Sequence, residues 1–328
     1  MTRKKTILSG MRPTGKLHLG HLVGALENWV PLQHEFQSFH LIADYHALTT
    51  NLDSSQLEQN SIDMVIDWLA AGIDPHLSPI FRQSRIKEHT ELHLLFSMLI
   101  TAARLERNPA VKEQVRDLNI ENVSYGHLGY PVLQAADILL YKGEVVPVGE
   151  DQVPHVEISR EIARRFNSQY GMVFPEPESK LTRFARLPGL DGMDRKMSKS
   201  AGNAILLSDS PAVIGTKMRS AVTDPQKMRK HDPGRPEICL VFTYHNKFNP
   251  AGAPEIERDC RSGVLGCVEC KRRIAESVAT TLAPFREKRA FYESNPAAVP
   301  DILRDGEQRA QSRAHETMAD VHRVMNLG

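Results

Sequence analysis

Residues 5–21 read Lys5-Thr-Ile-Leu-Ser-Gly10-Met-Arg-Pro-Thr-Gly15-Lys-Leu-His-Leu-Gly20-His21, and they decide the fold class. Lys5–Ser9 is a β-prone run ended by Gly10, and Gly10–Lys16 is rich in turn formers. From about Leu19 to Gln33 the apolar residues recur at helical spacing. Strand, tight loop and helix in that order open a parallel α/β layer. The chain continues in the same way. Strand-like runs at Ser38–Ala43, Ser78–Phe81 and Glu144–Val148 alternate with helix-like segments at Gln56–Ala71, Thr90–Ala103, Pro131–Tyr141 and Asp151–Phe166. From Pro211 onward the pattern is almost wholly helical, with helices expected at Pro211–Ala221, Cys267–Ser294, Ala297–Arg304 and Gly306–Met325. The expected architecture is a Rossmann-type parallel-sheet domain over 1–202 followed by a helical domain over 203–328.

The 328 residues carry 41 Lys+Arg against 40 Asp+Glu, a net charge of +1, and 41% are hydrophobic. Such a chain buries a sizeable core and is neither disordered nor collagen-like. No apolar run approaches the roughly 20 residues of a membrane helix. The basic start Met1-Thr-Arg-Lys-Lys reaches Gly10 after two apolar residues, without the apolar region of a signal peptide. A cytoplasmic protein with no membrane partner is expected. The near-zero charge gives no general affinity for nucleic acid, so any such contact has to be local.

Two segments carry chemistry. In the first, His18-Leu-Gly-His21 starts a helix after a strand, where free backbone N–H groups and the dipole end favour phosphate. Gly20 would let the backbone lie flat against an adenine or ribose, and His18 and His21 could donate to a phosphate gaining charge. Two solvated histidines are the plainer reading. In the second, Lys196-Met-Ser-Lys-Ser200 follows a Gly-rich loop and sets two lysines where they can clamp a polyphosphate leaving group. The two segments lie about 175 residues apart, as a split ATP site requires.

The four cysteines form a third group, Cys239-x20-Cys260-x6-Cys267-x2-Cys270. In a cytoplasmic chain, gathered thiols favour a metal over disulfides. Zinc ribbons show two Cys-x2-Cys knuckles and this chain has one, whereas an iron–sulfur cluster accepts looser spacing. An iron–sulfur cluster, Zn²⁺ and unligated thiols all remain open on spacing. Lys271-Arg-Arg273 follows directly, either beside a nucleic-acid contact or as a solvated helix turn.

His18-Leu-Gly-His21 and Lys196-Met-Ser-Lys-Ser200 resemble the two signatures of class I aminoacyl-tRNA synthetases. Ser9-Gly10, Pro13-Thr-Gly15, Asp44-Tyr-His-Ala-Leu-Thr49, Tyr130-Pro131, Ala135-Ala-Asp-Ile-Leu-Leu-Tyr141 and Val146-Pro-Val-Gly-Glu-Asp-Gln152 resemble the tryptophanyl-tRNA synthetases in particular. The resemblance runs from residue 5 past Ser220-Ala-Val-Thr-Asp224 and continues more weakly to the end. It implies ATP-dependent activation of L-tryptophan, transfer to tRNA(Trp), Mg²⁺ on the phosphates, a helical anticodon-binding domain and a homodimer. It also implies residue roles. His18, His21, Lys196 and Lys199 are the catalytic set. Arg12, Pro13, Thr14, Gly20, Gly149, Glu150, Asp151, Met197, Ser198 and Ser200 join them around ATP. Asp137 takes the indole N–H, with Tyr130, Gln134, Gln152 and His46 around the amino acid. His46 also reads as a core histidine, and Glu150 and Asp151 as helix caps.

The chain departs from the family pattern at Arg12, most often glutamine, and at Gln134, where many relatives have methionine and the tyrosine enzymes have glutamine. In a branch of the family four C-terminal cysteines ending in x6 and x2 hold a [4Fe–4S] cluster. Here the first gap is two residues shorter. A tyrosine–tRNA ligase and a non-catalytic synthetase-like RNA-binding protein are the competing readings.

Overall fold

Mainly apolar runs such as Ser38–Ala43 bury both faces of a strand, which a parallel sheet covered by helices on both sides demands. In the computed structural model, which describes residues 3–149, 152–181 and 187–327, five strands are present. They are β1 (Thr6–Met11), β2 (Gln37–Ile42), β3 (Ile80–Arg82), β4 (Val145–Val148) and β5 (Glu178–Leu181). All neighbours are parallel, in the order β3-β2-β1-β4-β5. The order reverses between β1 and β4, so the loops leaving their carboxyl ends, at Arg12 and Gly149, flank the crevice where such sheets take ligands. β2 and β3 deliver Asp44, His46 and Gln83 to the same edge.

The chain divides into two compact units. The first comprises Met1–Gly15, Ala25–Arg183 and Asn295–Gly328, and the second Lys16–Gly24 and Phe184–Ser294. This division cuts the chain differently from the break expected at 202/203. The carboxyl-terminal helix Ala298–Met325 belongs with the sheet, and the His18-Leu-Gly-His21 segment belongs with the later helices. A composition shift along the chain cannot register which segments return. The sheet core is formed by Leu8, Phe39, Phe81, Phe96, Tyr141 and Phe166, all buried, and each side chain of this size contributes about 1.5–3 kcal/mol.

Several helix boundaries differ from expectation for identifiable reasons. Ala298–Met325 is one helix rather than two, because Gly306 is not a break: a Cβ there would overlap the carbonyl oxygen of Ile80. Glycine at 306 permits the helix backbone to lie directly on β3. The helix expected over Cys267–Ser294 is two, Cys267–Thr281 and Ala283–Ser294, since Pro284 has no N–H for the carbonyl one turn earlier. Tyr125–Leu140 begins before Pro131, its first turn capped by Ser124, whose hydroxyl accepts from His127 N at 3.1 Å. Thr90–Ala103 resolves into Glu88–Ser97 and Ala102–Glu106. β5 has no apolar alternation to announce it, being exposed throughout at the sheet edge. Among the described residues no helix is long and apolar enough to cross a membrane.

Candidate active site

In the second unit both signature segments fold together. Leu19 N donates to Ile205 O (3.0 Å) and Leu207 N to Leu17 O (2.9 Å), so residues 17–19 run antiparallel to residues 205–207 with His18 opposite Leu206. The backbone N–H of Gly20 faces Met197 Sδ at 3.4 Å, and Lys199 Nζ donates to Lys16 O at 3.0 Å. The loop carrying the lysines is braced by buried Asn203. Its Oδ1 accepts from Ser198 N (2.7 Å), and its Nδ2 donates to Lys196 O (3.0 Å) and Asp191 Oδ1 (2.7 Å).

The two histidines are held neutral. Burial, then the charges of Lys199 and Lys196, pushes His18 down to about 4. Burial, then His18 and both lysines, pushes His21 down to about 3. His18 N donates to His21 Nδ1 at 3.2 Å, so the neutral ring of His21 carries its proton on Nε2, ready to donate. The rings lie 3.8 Å apart, centroid to centroid. A pair of neutral donors with two lysine charges nearby suits a polyphosphate.

In the first unit, Tyr130, Gln134 and Asp137 on the helix Tyr125–Leu140, and Tyr141 capping its carboxyl end, follow one another at spacings of four, three and four. Asp137 is buried, and three side chains donate to it. Its Oδ1 accepts from Gln83 Nε2 (2.7 Å) and His89 Nδ1 (2.7 Å), and its Oδ2 from His46 Nε2 (2.8 Å). Burial works to raise the Asp137 pKa, but the hydrogen bonds from His46 and His89 outweigh it and hold the carboxyl well below the usual range. The Tyr130 hydroxyl lies 3.0 Å from His155 Nε2 and is pushed up to about 12 by burial. Arg12 is exposed, its Nη1 3.4 Å from Thr50 Oγ1, with Pro13 buried and Thr14 exposed beside it. Gln152 N donates to Gly149 O at 3.0 Å. Glu150 and Asp151 lie outside the described residues.

Gln83, His89, Tyr141 and Asn203 are polar groups that motif reasoning passed over. One signal was present for His89: Ile86, Leu92 and Phe96 flank it at helical spacing, which puts a polar ring on a buried face.

The four cysteines all lie in the second unit as free thiols, Cys239 buried and the others half-buried. Cys270 Sγ sits 3.4 Å from His245 Nε2. Burial first, then the neighbouring Cys239, Cys260 and Cys267, pushes the Cys270 thiol up to about 12. Among the described residues, no three or more His, Cys, Asp or Glu side chains close on a single metal ion.

A parallel sheet with its switch point between β1 and β4, and a histidine segment folded against a lysine segment, are features of an ATP-using α/β enzyme of the synthetase class. The family pattern for tRNA synthetases class I (W and Y) matches residues 1–283, and the chain belongs to that family. The chain is 51% identical over 326 residues to a tryptophan–tRNA ligase of Thermotoga maritima, with 98% of this chain and 99% of that protein covered. It is 43% identical over 394 residues to the tryptophan–tRNA ligase of Aquifex aeolicus, again covering 98% and 99%. Among solved structures, the tryptophanyl-tRNA synthetase of Campylobacter jejuni complexed with ADP and tryptophan superposes with a TM-score of 0.88 at 35% identity, covering 98% of this chain and all of that one.

Proposed function

We propose that this chain is a tryptophan–tRNA ligase, which activates L-tryptophan with ATP and passes the acyl group to tRNA(Trp). The observation that carries the reading is the meeting of both signature segments in one unit, where His18 and His21 feel the charges of Lys196 and Lys199. In the first step the tryptophan carboxylate attacks the ATP α-phosphorus, forming the adenylate and releasing pyrophosphate; in the second the terminal ribose of the tRNA takes the acyl group. No nucleophile from the protein is needed. His21 donates from Nε2 and His18 alongside it to phosphate oxygens whose charge grows, while Lys196 and Lys199 stabilise the departing pyrophosphate. Mg²⁺, when bound, neutralises phosphate charge.

Arg12, Pro13, Thr14, Gly20, Gly149, Glu150, Asp151, Met197, Ser198 and Ser200 line ATP in this reading. Asp137 accepts the indole N–H, with His46, Gln134, Tyr130 and Gln152 around the amino acid. Residues 203–328 contribute to anticodon binding, and the working form is a homodimer. ATP–pyrophosphate exchange with each amino acid tests the assignment. Exchange with tryptophan, followed by charging of tRNA(Trp), is expected. Exchange with tyrosine instead would mean a tyrosine–tRNA ligase, and none with either would favour the RNA-binding reading.

The four thiols also support a [4Fe–4S] cluster held by Cys239, Cys260, Cys267 and Cys270. Four thiols in one unit with a single Cys-x2-Cys pair suit an iron–sulfur cluster better than the two knuckles of a zinc ribbon. When bound, the cluster would cross-link the segments carrying the four cysteines. Anaerobically purified protein is expected to contain about four irons per chain and to absorb broadly near roughly 400 nm; colourless protein with one zinc refutes the cluster.

A further inference from the structure

Asp137 is held by more of the protein than a simple acceptor needs. An ionised carboxylate offers about four lone-pair sites. Gln83, His89 and His46 take three of them, leaving one on Oδ2. The far side of His89 decides how firmly that arrangement is set. Its Nε2 lies 2.9 Å from the Tyr141 hydroxyl. Tyr141 is completely buried, and its O–H finds no other hydrogen-bond partner among the described residues. A buried O–H has to donate, so Nε2 accepts and the ring is the Nδ1–H tautomer, which directs its one proton at Asp137. The His89 ring is further packed against Phe81, with centroids 6.4 Å apart and planes 28° from parallel.

We infer that Tyr141 and His89 are positioning residues for substrate selection: Tyr141 fixes the tautomer of His89, and His89 fixes Asp137 so that its one open lone pair meets a ring N–H donor. The inference rests on the reading of Asp137 as the indole acceptor and adds the groups that aim it. Without the Tyr141 hydroxyl, the His89 proton is free to move to Nε2, and a bare Nδ1 would then face the carboxylate. Asp137 would lose its aim but keep its charge and its place. A substrate that uses the lone pair suffers, and one that merely fills the space does not.

The test compares tryptophan with β-(benzothien-3-yl)alanine, which has nearly the same shape with sulfur in place of the N–H. Specificity constants are measured by ATP–pyrophosphate exchange in the full-length protein. For Tyr141→Phe the tryptophan-to-isostere ratio is expected to fall about 10-fold with the isostere's own constant little changed. For His89→Leu the ratio falls further in the same direction. Asp137→Asn is the reference, in which the ratio collapses. If Asp137→Asn leaves the ratio unchanged, the acceptor reading fails and the inference with it. If Asp137→Asn collapses the ratio while Tyr141→Phe and His89→Leu lower both substrates in proportion, or neither, the acceptor reading stands and the positioning role is overturned.

Discussion

His40 offers a measurement in which burial, charge and pH can be separated. It sits on β2, buried, with neither ring nitrogen hydrogen-bonded among the described residues. Its ring stacks on Trp29 with centroids 5.1 Å apart and lies 6.1 Å from Trp68, the only two tryptophans in the chain. Burial alone pushes it down from 6.5 to about 3. The unfolded chain therefore binds one more proton than the folded one between those two values, and stability rises with pH across that window. The contribution is fully present above 6.5 and is lost as the pH falls below it. Between pH 7 and pH 5 the two pKa values give a loss of about 2 kcal/mol from this one group.

In His40→Leu that loss disappears. The altered packing shifts stability by an amount that does not depend on pH, so it cancels when the two pH values are subtracted. Urea unfolding followed by the emission of Trp29 and Trp68 reads the difference directly. Wild type should lose about 2 kcal/mol more than His40→Leu between pH 7 and 5. Parallel pH profiles for the two proteins would refute the claim that a neutral, buried imidazole underlies the dependence.

Three other substitutions test close contacts. Gly306→Ala gains about 1 kcal/mol of helix propensity, but its Cβ would overlap the Ile80 carbonyl, at a cost of about 1–3 kcal/mol or more; a lowered Tm is expected, and a raised one would contradict the contact. Gly20→Ala would place a Cβ 3.0 Å from the His18 ring and 3.6 Å from Met197 Cβ; displacement of the imidazole should cut the exchange rate about 10-fold or more with little change in Tm, and an unchanged rate would exclude a catalytic position for His18. Gly234→Ala would bring a Cβ to 2.5 Å from Cys260 Sγ and 3.0 Å from Lys227 Cδ; lower iron content is expected by metal analysis, and full iron content would show that Cys260 does not need that space.

Much of the first unit could be read in the chain. β1, β2, β3 and β4 lie within a residue or two of their expected ranges, because buried parallel strands are apolar runs bounded by turn formers. β5 could not be read in this way, since Glu178–Leu181 is exposed and its strand character comes from pairing with β4. Glycine and proline misled in opposite directions. Gly306 looked like a helix break and is a contact point, while Pro284 looked like an ordinary helical residue and ends a helix. The Gly306 outcome depends on the Ile80 carbonyl opposite it, which local propensity does not contain, whereas the Pro284 break follows from its missing N–H.

The sequence by itself determined the α/β class, the chemistry-bearing residue types and, through His18-Leu-Gly-His21 and Lys196-Met-Ser-Lys-Ser200, the family. These are matters of periodicity and short-range order, which a chain carries in one dimension. Tertiary structure alone decided that Lys16–Gly24 joins Phe184–Ser294 and that Asn295–Gly328 returns to the sheet. It also decided the environment of Asp137. Gln83, His89 and His46 come to it from other segments, and the tautomer of His89 follows from which buried hydroxyl has to find an acceptor. Hydrogen-bond satisfaction in a dry interior is a property of the assembled neighbourhood, so it appears only once the segments have met.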